Sequence, residues 1–251
     1  MEQSGNFIWK TEGRTGHLII NNPPQNFITT PCLVDAEKMR DWFCDPGVEL
    51  ILVYGQGRHF SAGADLNTLN NENPDADISR QLIHDLKIGR NILETIESSE
   101  KPVLAIISGS CLGAGLEIAL ACHMRIACEN SFFGFPEINH GLIPGLNGIS
   151  RLCRTVGKGK ALLLILWGEL INACEAESMG LVTCVIPKKN FWNDVLQFTN
   201  KILDRSPKAI NFAMRSIMNM DKMSKEEAHD FECQCFAELV EDELLENKII
   251  S

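Results

Sequence analysis

The sequence predicts an α/β core followed by an α-helical C-terminal region. Three observations carry that expectation. Between residues 7 and 127, short apolar runs bounded by turn residues alternate with helical patterns, the order expected of an α/β domain. From Gly148 onward the pattern is helical, interrupted by a short apolar run at residues 182–186 before Pro187. No internal repeat, low-complexity tract or flexible linker breaks the 251 residues, a length that suits one large domain or a domain with a small appendage.

Taken in order, residues 7–9 and 17–20 flank the turn Glu12-Gly-Arg-Thr-Gly16 and predict a β-hairpin, which Asn21-Asn-Pro-Pro24 ends. Residues 30–44 space Leu33, Met39, Trp42 and Phe43 helically, with Asp35, Glu37 and Lys38 opposite, and Asp45-Pro-Gly47 stops that helix. Residues 49–54 predict a buried strand leading into Gly55-Gln-Gly57. Residues 67–77, rich in Asn, Asp, Glu and Pro, predict a loop or a frayed helix start. Residues 79–98 form an amphipathic pattern with Leu82, Leu86, Ile92, Leu93 and Ile96 on its apolar side. Residues 101–107 predict the next strand, residues 116–122 a helix, and residues 124–127 a short strand. Further on, residues 191–204 and 224–246 predict amphipathic helices, the second acidic, and Ser206-Pro207 opens the helix between them. The expected division is a core over residues 1–190 and a helical region over residues 191–251.

Composition narrows the function. At 45% hydrophobic and 22% charged residues the chain has the make-up of a soluble globular enzyme. Its net charge of −10 argues against nucleic acid or an anionic membrane as partner, and obliges any phosphate-bearing ligand to meet a local basic patch or a helix N-terminus. Ten cysteines include no CxxC pair and no Cys/His cluster with zinc spacing, so no metal is expected. Cys122, Cys128 and Cys153 lie in apolar runs and are expected to be buried, reduced thiols of an intracellular protein. The first nine residues lack the basic and apolar regions of a secretion signal, and no apolar run reaches membrane-spanning length, so a cytoplasmic location is expected.

The chemistry-bearing residues fall in two places. One is the run His59-Phe-Ser-Ala-Gly-Ala-Asp65. The other is the stretch from Gly109 to Gly148, with the small-residue turn Gly113-Ala114-Gly115, Glu117 near the start of a helix, and Glu137 after Pro136. Turns built from Gly and Ala let a substrate approach main-chain N–H groups, and such groups at the mouth of a helix polarise a carbonyl or hold an anion. Paired carboxylates can do acid–base work on water. Each acid also has a plainer reading: Glu117 as a helix-dipole partner, Glu137 as a solvated turn carboxylate.

These segments, with Gly109-Ser-Cys-Leu-Gly-Ala-Gly-Leu-Glu117, Phe133-Gly-Phe-Pro-Glu137 and Gly141-Leu-Ile-Pro-Gly145, resemble the crotonase (enoyl-CoA hydratase/isomerase) superfamily. Ser150-Arg-Leu152, Val156-Gly-Lys158, Ala173-Cys-Glu-Ala176, Gly180-Leu-Val182 and Ser206-Pro-Lys-Ala209 continue the likeness in family order, so it covers nearly the whole chain. The resemblance implies a ββα spiral core with a C-terminal helical region that assembles trimers or dimers of trimers. It also implies an acyl thioester substrate, of coenzyme A or of an acyl carrier protein, with coenzyme A entering as part of the substrate and no redox or metal cofactor. Carried over by motif, the N–H groups of Ala64 and Ala114 bind the thioester oxygen, while Glu117 and Glu137 hold and deprotonate water and return a proton to the α-carbon. Ala62, Asp65, Leu66 and Arg58 are the positions that such a likeness places along the nucleotide. For Asp65 the capping of the following helix is the stronger expectation.

The same residues have other readings. Asn26 is expected to bond backbone groups where the first core strand ends, and His123 to bond local carbonyls after the Glu117 helix. His59 accompanies Arg58 as either a phosphate contact or a solvated loop residue. Phe27, Phe135, His140 and Trp167 are expected around the acyl pocket, chiefly as packing. Asn67 stands where many relatives carry Lys, Phe27 replaces a small residue, and residues 243–251 differ from the usual basic and aromatic finish. Those departures favour a carrier-protein thioester as the alternative substrate. The expected activity is reversible hydration of an enoyl thioester. The alternatives are an isomerase, dehydratase or decarboxylase on a specialised acyl group, and a non-catalytic scaffold of the same fold.

Overall fold

The computed structural model describes residues 1–29, 34–65 and 78–245. The described chain divides into two units, residues 1–198 and residues 199 onward.

In the first unit, β1 (Glu2–Ser4), β2 (Phe7–Glu12) and β3 (Thr15–Ile20) form an antiparallel entry to the sheet. The predicted hairpin is β2–β3, with Phe7 opposite Ile20 and Trp9 opposite Leu18, so Phe7, Trp9, Leu18 and Ile20 all bury their side chains. Helix α1 (Ala36–Cys44) begins where Asp35 accepts a hydrogen bond from the Lys38 N–H, and ends before Pro46. It buries Met39, Trp42 and Phe43, and the Trp42 ring stacks on Trp9 with centroids 5.8 Å apart. Start of this helix at Ala36 rather than in the low thirties follows from the Asp35 cap; residues 30–33 lie outside the described residues.

Strands β4 (Leu50–Gly55), β5 (Val103–Ile107), β7 (Met124–Cys128) and β10 (Cys184–Ile186) extend the sheet in parallel from β3, giving the order β1-β2-β3-β4-β5-β7-β10. Parallel strands are covered on both faces, which is why β4 and β5 read as continuous apolar runs. Helix α2 (Ile78–Glu97) connects β4 to β5 and buries Ile92, Leu93 and Ile96. A second sheet sets β8 (Phe132–Gly134) between β6 (Ser110–Leu112) and β9 (Ile171–Asn172). Between β6 and β7 runs α3 (Ala114–Ala121), whose eight residues are all buried. Helix α4 (Gly148–Trp167), broken at Gly157, and the short α5 (Ala173–Ser178) follow, α5 starting at an Asn172–Glu175 capping box.

Helix α6 spans Phe191–Leu203. In the second unit, α7 (Pro207–Asn219) starts at the Ser206 cap, and Lys208 pairs with Glu238 and Asp242 of α8 (Lys225–Leu245). The Arg215 guanidinium lies 5.2 Å from the Phe231 ring centre, so α7 and α8 run antiparallel. Helix α8 does not bury the apolar stripe expected of it: Phe236 and Val240 are exposed.

Candidate active site

Helix α3 is the frame of the site. It is fastened at both ends. The Gly113 N–H donates to the Gly134 carbonyl at 3.0 Å, tying the helix start to β8. Buried Arg125 donates to the carbonyls of Ala119 and Cys122 at its end, and to Leu181 beyond. Gly113 caps the helix with φ 49° and ψ −123°, a conformation that side chains disfavour, and provides no side-chain acceptor for the first N–H groups. The Ala114 N–H therefore opens the helix without an intrahelical partner, at its positive end.

The turn around residues 61–64 lies alongside. Ser61 and Cys111 form a parallel bridge, with the Ser61 N–H donating to Ser110 at 3.0 Å and the Leu112 N–H donating to Ser61 at 3.0 Å. Buried Ser61 locks the turn by donating to the Asn26 carbonyl at 2.7 Å and accepting from the Gly63 N–H at 3.1 Å. A Cβ on Gly63 would lie 3.6 Å from the Ala114 nitrogen, so the two turns are in contact. Ile28 bridges to Ala64 by accepting from the Asp65 N–H and donating to the Gly63 carbonyl. In such a parallel bridge the N–H of the residue between, Ala64, faces away from Ile28.

Both acids meet this frame. Glu117 lies one turn into α3 and is 2% exposed. Its Oε1 accepts from the Leu146 N–H at 2.7 Å and the Gly148 N–H at 2.8 Å. Burial pushes its carboxyl up to about 7, and the nearby Glu137 charge pushes the same way; the two N–H groups and Arg151 oppose the rise. Glu137 lies in the 3₁₀ turn Pro136–His140, with its Oε1 2.7 Å from where a Cβ of Gly113 would stand. Its Oε2 is buried with no hydrogen-bond partner among the described residues, and burial raises its carboxyl above the ordinary range. Two carboxylates, both raised by burial, thus flank the N-terminus of one helix.

The other sequence-predicted positions divide. Asn26 is fully buried; its amide donates to the Gln56 and His59 carbonyls at 3.0 and 2.7 Å, the backbone role expected of it. The Ala62 N–H is committed to the Gln25 carbonyl at 2.9 Å, which leaves the Ala62 carbonyl as the group a ligand could address. Arg58 is exposed, while His59 accepts from the Ser110 N–H at 3.0 Å. Leu66 and residues 67–77, where the capping expected of Asp65 would fall, lie outside the described residues. His123 links Val103 to the Glu97 carbonyl, at 3.0 and 3.2 Å, a tether between elements rather than a contact within its own helix end. Phe135 is buried and Phe27 half-buried, but His140 is exposed and Trp167 is 63% exposed at the end of α4. Cys122 and Cys128 are buried as expected; Cys153 is only half-buried, packed against the margin of the core.

Sequence reasoning passed over Ser61, the Leu146 and Gly148 N–H groups, and buried Arg151. A signal for Arg151 exists: Gly148, Arg151 and Leu152 share one helical stripe, and a cation at an apolar-face position needs a partner.

The chain is similar to known proteins over nearly its whole length. The family model described as enoyl-CoA hydratase/isomerase matches residues 15–249. A probable enoyl-CoA hydratase of Bacillus subtilis (strain 168) is 37% identical over 228 residues, covering 90% of this chain and 87% of the relative. A crotonyl-CoA hydratase of Syntrophomonas wolfei is 34% identical over 215 residues, covering 83% of this chain and 79% of the relative. The crystal structure of an enoyl-CoA hydratase from Thermoplasma volcanium GSS1 superposes with a TM-score of 0.82 at 29% identity, covering 99% of this chain and 98% of that one.

Proposed function

This chain belongs to the enoyl-CoA hydratase/isomerase family, the crotonase superfamily, and from that premise we propose that it adds water reversibly across the 2,3-double bond of an enoyl-CoA thioester. The observation that carries the reading is the placement of Glu117 and Glu137 about the start of α3. Glu117 lies one turn inside the helix, and Glu137 lies against the residue that precedes Ala114.

In the proposed reaction the thioester oxygen is bound by the N–H groups of Ala64 and Ala114. Glu117, whose charge is supported by two N–H donors, takes a proton from water as the water oxygen bonds to C3. The electron pair of the double bond moves toward the thioester, and negative charge gathers on its oxygen. Two fixed donors there are worth on the order of 3 kcal/mol each. Glu137, whose carboxyl burial raises, is the acid that delivers a proton to C2, and the exchange of one proton between the acids resets the pair. A single carboxylate suffices for double-bond migration, so the retention of both favours hydration. The nucleotide is proposed to pass Arg58, Ala62, Asp65 and Leu66.

The test is turnover of crotonyl-CoA, followed by loss of the conjugated thioester absorbance and by the mass of the product. Glu117→Gln and Glu137→Gln should each lower kcat by about 100-fold or more while substrate binding persists. Wild-type rates in both variants would remove the carboxylate mechanism.

The reading extends to assembly and location. Leu162, Leu166 and Trp167 on α4 are exposed to 58%, 61% and 63%, an apolar face that supports burial against further copies of this chain in a homotrimer or dimer of trimers. Residues 191–251 are proposed to contribute to that assembly, and sedimentation would measure its size. All nine described cysteines are unpaired, which supports a cytoplasmic setting; among the described residues no helix is long and apolar enough to cross a membrane.

A further inference from the structure

The turn that grips Glu117 is itself gripped from behind. Arg151, in the first turn of α4, is 2% exposed, yet its guanidinium uses three nitrogens. Nη1 donates to the Leu146 carbonyl at 2.7 Å. Nε and Nη2 both donate to Oε2 of Glu97, at 3.0 and 2.8 Å. Glu97 ends α2; its other carboxylate oxygen accepts from Arg154 at 3.0 Å, and its main-chain carbonyl accepts from His123 at 3.2 Å. His123 stands just beyond the C-terminal end of α3, the helix that bears Glu117. A closed path of bonds therefore runs from Glu97 through Arg151 and Leu146 to Glu117, and back through α3 and His123.

We propose that Arg151, braced by Glu97, is a positioning residue for Glu117: by fixing the Leu146 carbonyl it orients the 146–148 turn so that two N–H groups converge on one carboxylate oxygen. The proposal rests on the reading of Glu117 as a carboxylate that acts on water.

The peptide between Leu146 and Asn147 is the point at which Arg151 acts on the turn. Its carbonyl is held by Arg151, and it lies between the two donors, the N–H groups of Leu146 and Gly148. Two N–H groups that are two residues apart and share one acceptor form an anion-binding concavity, which lasts only while the intervening peptides keep their orientation. Asn147 has φ 70°, a left-handed conformation that a non-glycine residue adopts at some cost and that surrounding bonds must enforce. The Asn147 side chain makes no capping bond to α4, so the turn is held by its neighbours rather than by its own cap. Arg151 provides one such bond through Nη1 and another through its own N–H, which donates to the Asn147 carbonyl at 3.2 Å.

An ion pair that only fastened α2 to α4 would need the two bonds to Glu97 and nothing more. The third nitrogen reaches the turn. A planar fork can serve a carboxylate and a carbonyl at once; an ammonium on a flexible stem cannot hold both in fixed geometry. Arg154 provides the internal contrast: it pairs with the same Glu97, is exposed, and its bond to Glu97 is the one shown. The charged groups that face Glu117 are Arg151 and Glu137, together with the two N–H groups.

The experiment compares Arg151→Gln, Arg151→Lys and Arg154→Gln with the wild-type protein. Two readouts are used: the pH profile of kcat and KM on crotonyl-CoA, and titration of the Glu117 carboxyl by ¹³C NMR in the substrate-free protein, assigned by its loss in Glu117→Gln. The expected result is a fall in kcat of about tenfold or more in both Arg151 variants, with KM changed far less. The Glu117 titration and the acid limb of the rate profile should both move to higher pH, and Arg154→Gln should match the wild type. Lysine keeps the charge, so recovery of the wild-type rate and titration by Arg151→Lys would overturn the proposal. An unmoved titration in both Arg151 variants, or an equal effect of Arg154→Gln, would overturn it too. If Arg151→Gln does not fold, Arg151→Lys decides alone. If the wild-type protein turns over no enoyl thioester, the proposed function fails while the carboxyl titration still tests the clamp.

Discussion

Gly148 lies flat against Glu117: its N–H donates to Oε1 at 2.8 Å, and a Cβ there would stand 2.7 Å from both Cγ and Oε1 of the acid. The residue is thus at once a donor to the carboxylate and the floor beneath it. Gly148→Ala keeps the N–H and suits a helix start, but forces the acid or the turn to move. The expected outcome is a kcat loss of about 10- to 100-fold with a stability cost of about 1–3 kcal/mol. Steady-state kinetics and denaturant melts would check both numbers. Wild-type kcat in this variant would show that the position of Glu117 is not critical.

The elevated Glu117 carboxyl makes a prediction about stability and pH. The folded protein holds this proton up to about 7, whereas the unfolded chain releases it near the ordinary glutamate value of 4.5. Between those values the native state binds the extra proton, so stability falls as pH rises. Glu117→Gln removes the titration. Relative to wild type it should gain on the order of 3 kcal/mol at pH 8 and nothing at pH 4, where the acid is neutral in both states. Paired denaturant melts at the two pH values measure the difference. In activity, ionised Glu117 is the proposed base, so kcat should rise through pH 7 on the acid side.

Much of this fold was legible because its periods were long enough to read. The β2–β3 hairpin, the parallel strands β4, β5 and β7, and helices α1, α2 and α6 appear close to where apolar spacing places them. Strands β6 and β8 have three residues each and β9 has two, shorter than any alternation can establish, and they pair through partners distant in sequence. For the candidate site, Gly113, Ala114, Glu117 and Glu137 could be picked out as small turn residues and acids in apolar surroundings, although each acid also has a plainer reading. The Leu146 and Gly148 donors could not, since a main-chain N–H leaves no mark on residue type. Arg151 was readable only as a charge on an apolar stripe, and its partner Glu97 lies 54 residues away.

Asn26 joins the strand end to the turn that leads into residues 59–64, and two properties of the residue can be separated there. It has φ 53°, and its amide bonds two carbonyls from a buried position. Asn26→Ala loses both bonds, together with the one that its Oδ1 accepts from the Asn22 N–H at 3.1 Å, and strains the backbone, for an expected cost of about 2–4 kcal/mol. Asn26→Gly loses the same bonds without the strain and should recover about 1 kcal/mol of that cost. Both variants free the Gln56 and His59 carbonyls, so both should raise KM as the neighbouring turn loosens. Equal melting midpoints for the two variants would show that the left-handed backbone contributes nothing.

The proposed role of the Ala114 N–H can be tested by removing that single hydrogen. Substitution of a main-chain donor normally disrupts the backbone, but Ala114 is the first residue of α3, the one helical position where proline fits. Gly113 before it has φ 49° and ψ −123°, which keeps it out of the right-handed helical region that proline forbids to its predecessor. Ala114→Pro therefore deletes the donor while α3 remains anchored by Gly113 on Gly134 and by Arg125 at its far end. If that N–H stabilises charge on the thioester oxygen, kcat should fall by about 100- to 1000-fold. The melting temperature should stay near wild type, and Glu117 should titrate where it did. Binding of acetoacetyl-CoA, followed by thermal shift, should weaken together with kcat, because its enolate form would use the same donor. A proline variant with unchanged turnover would remove Ala114 from the chemistry and leave the two acids without the electrophile that their placement implies.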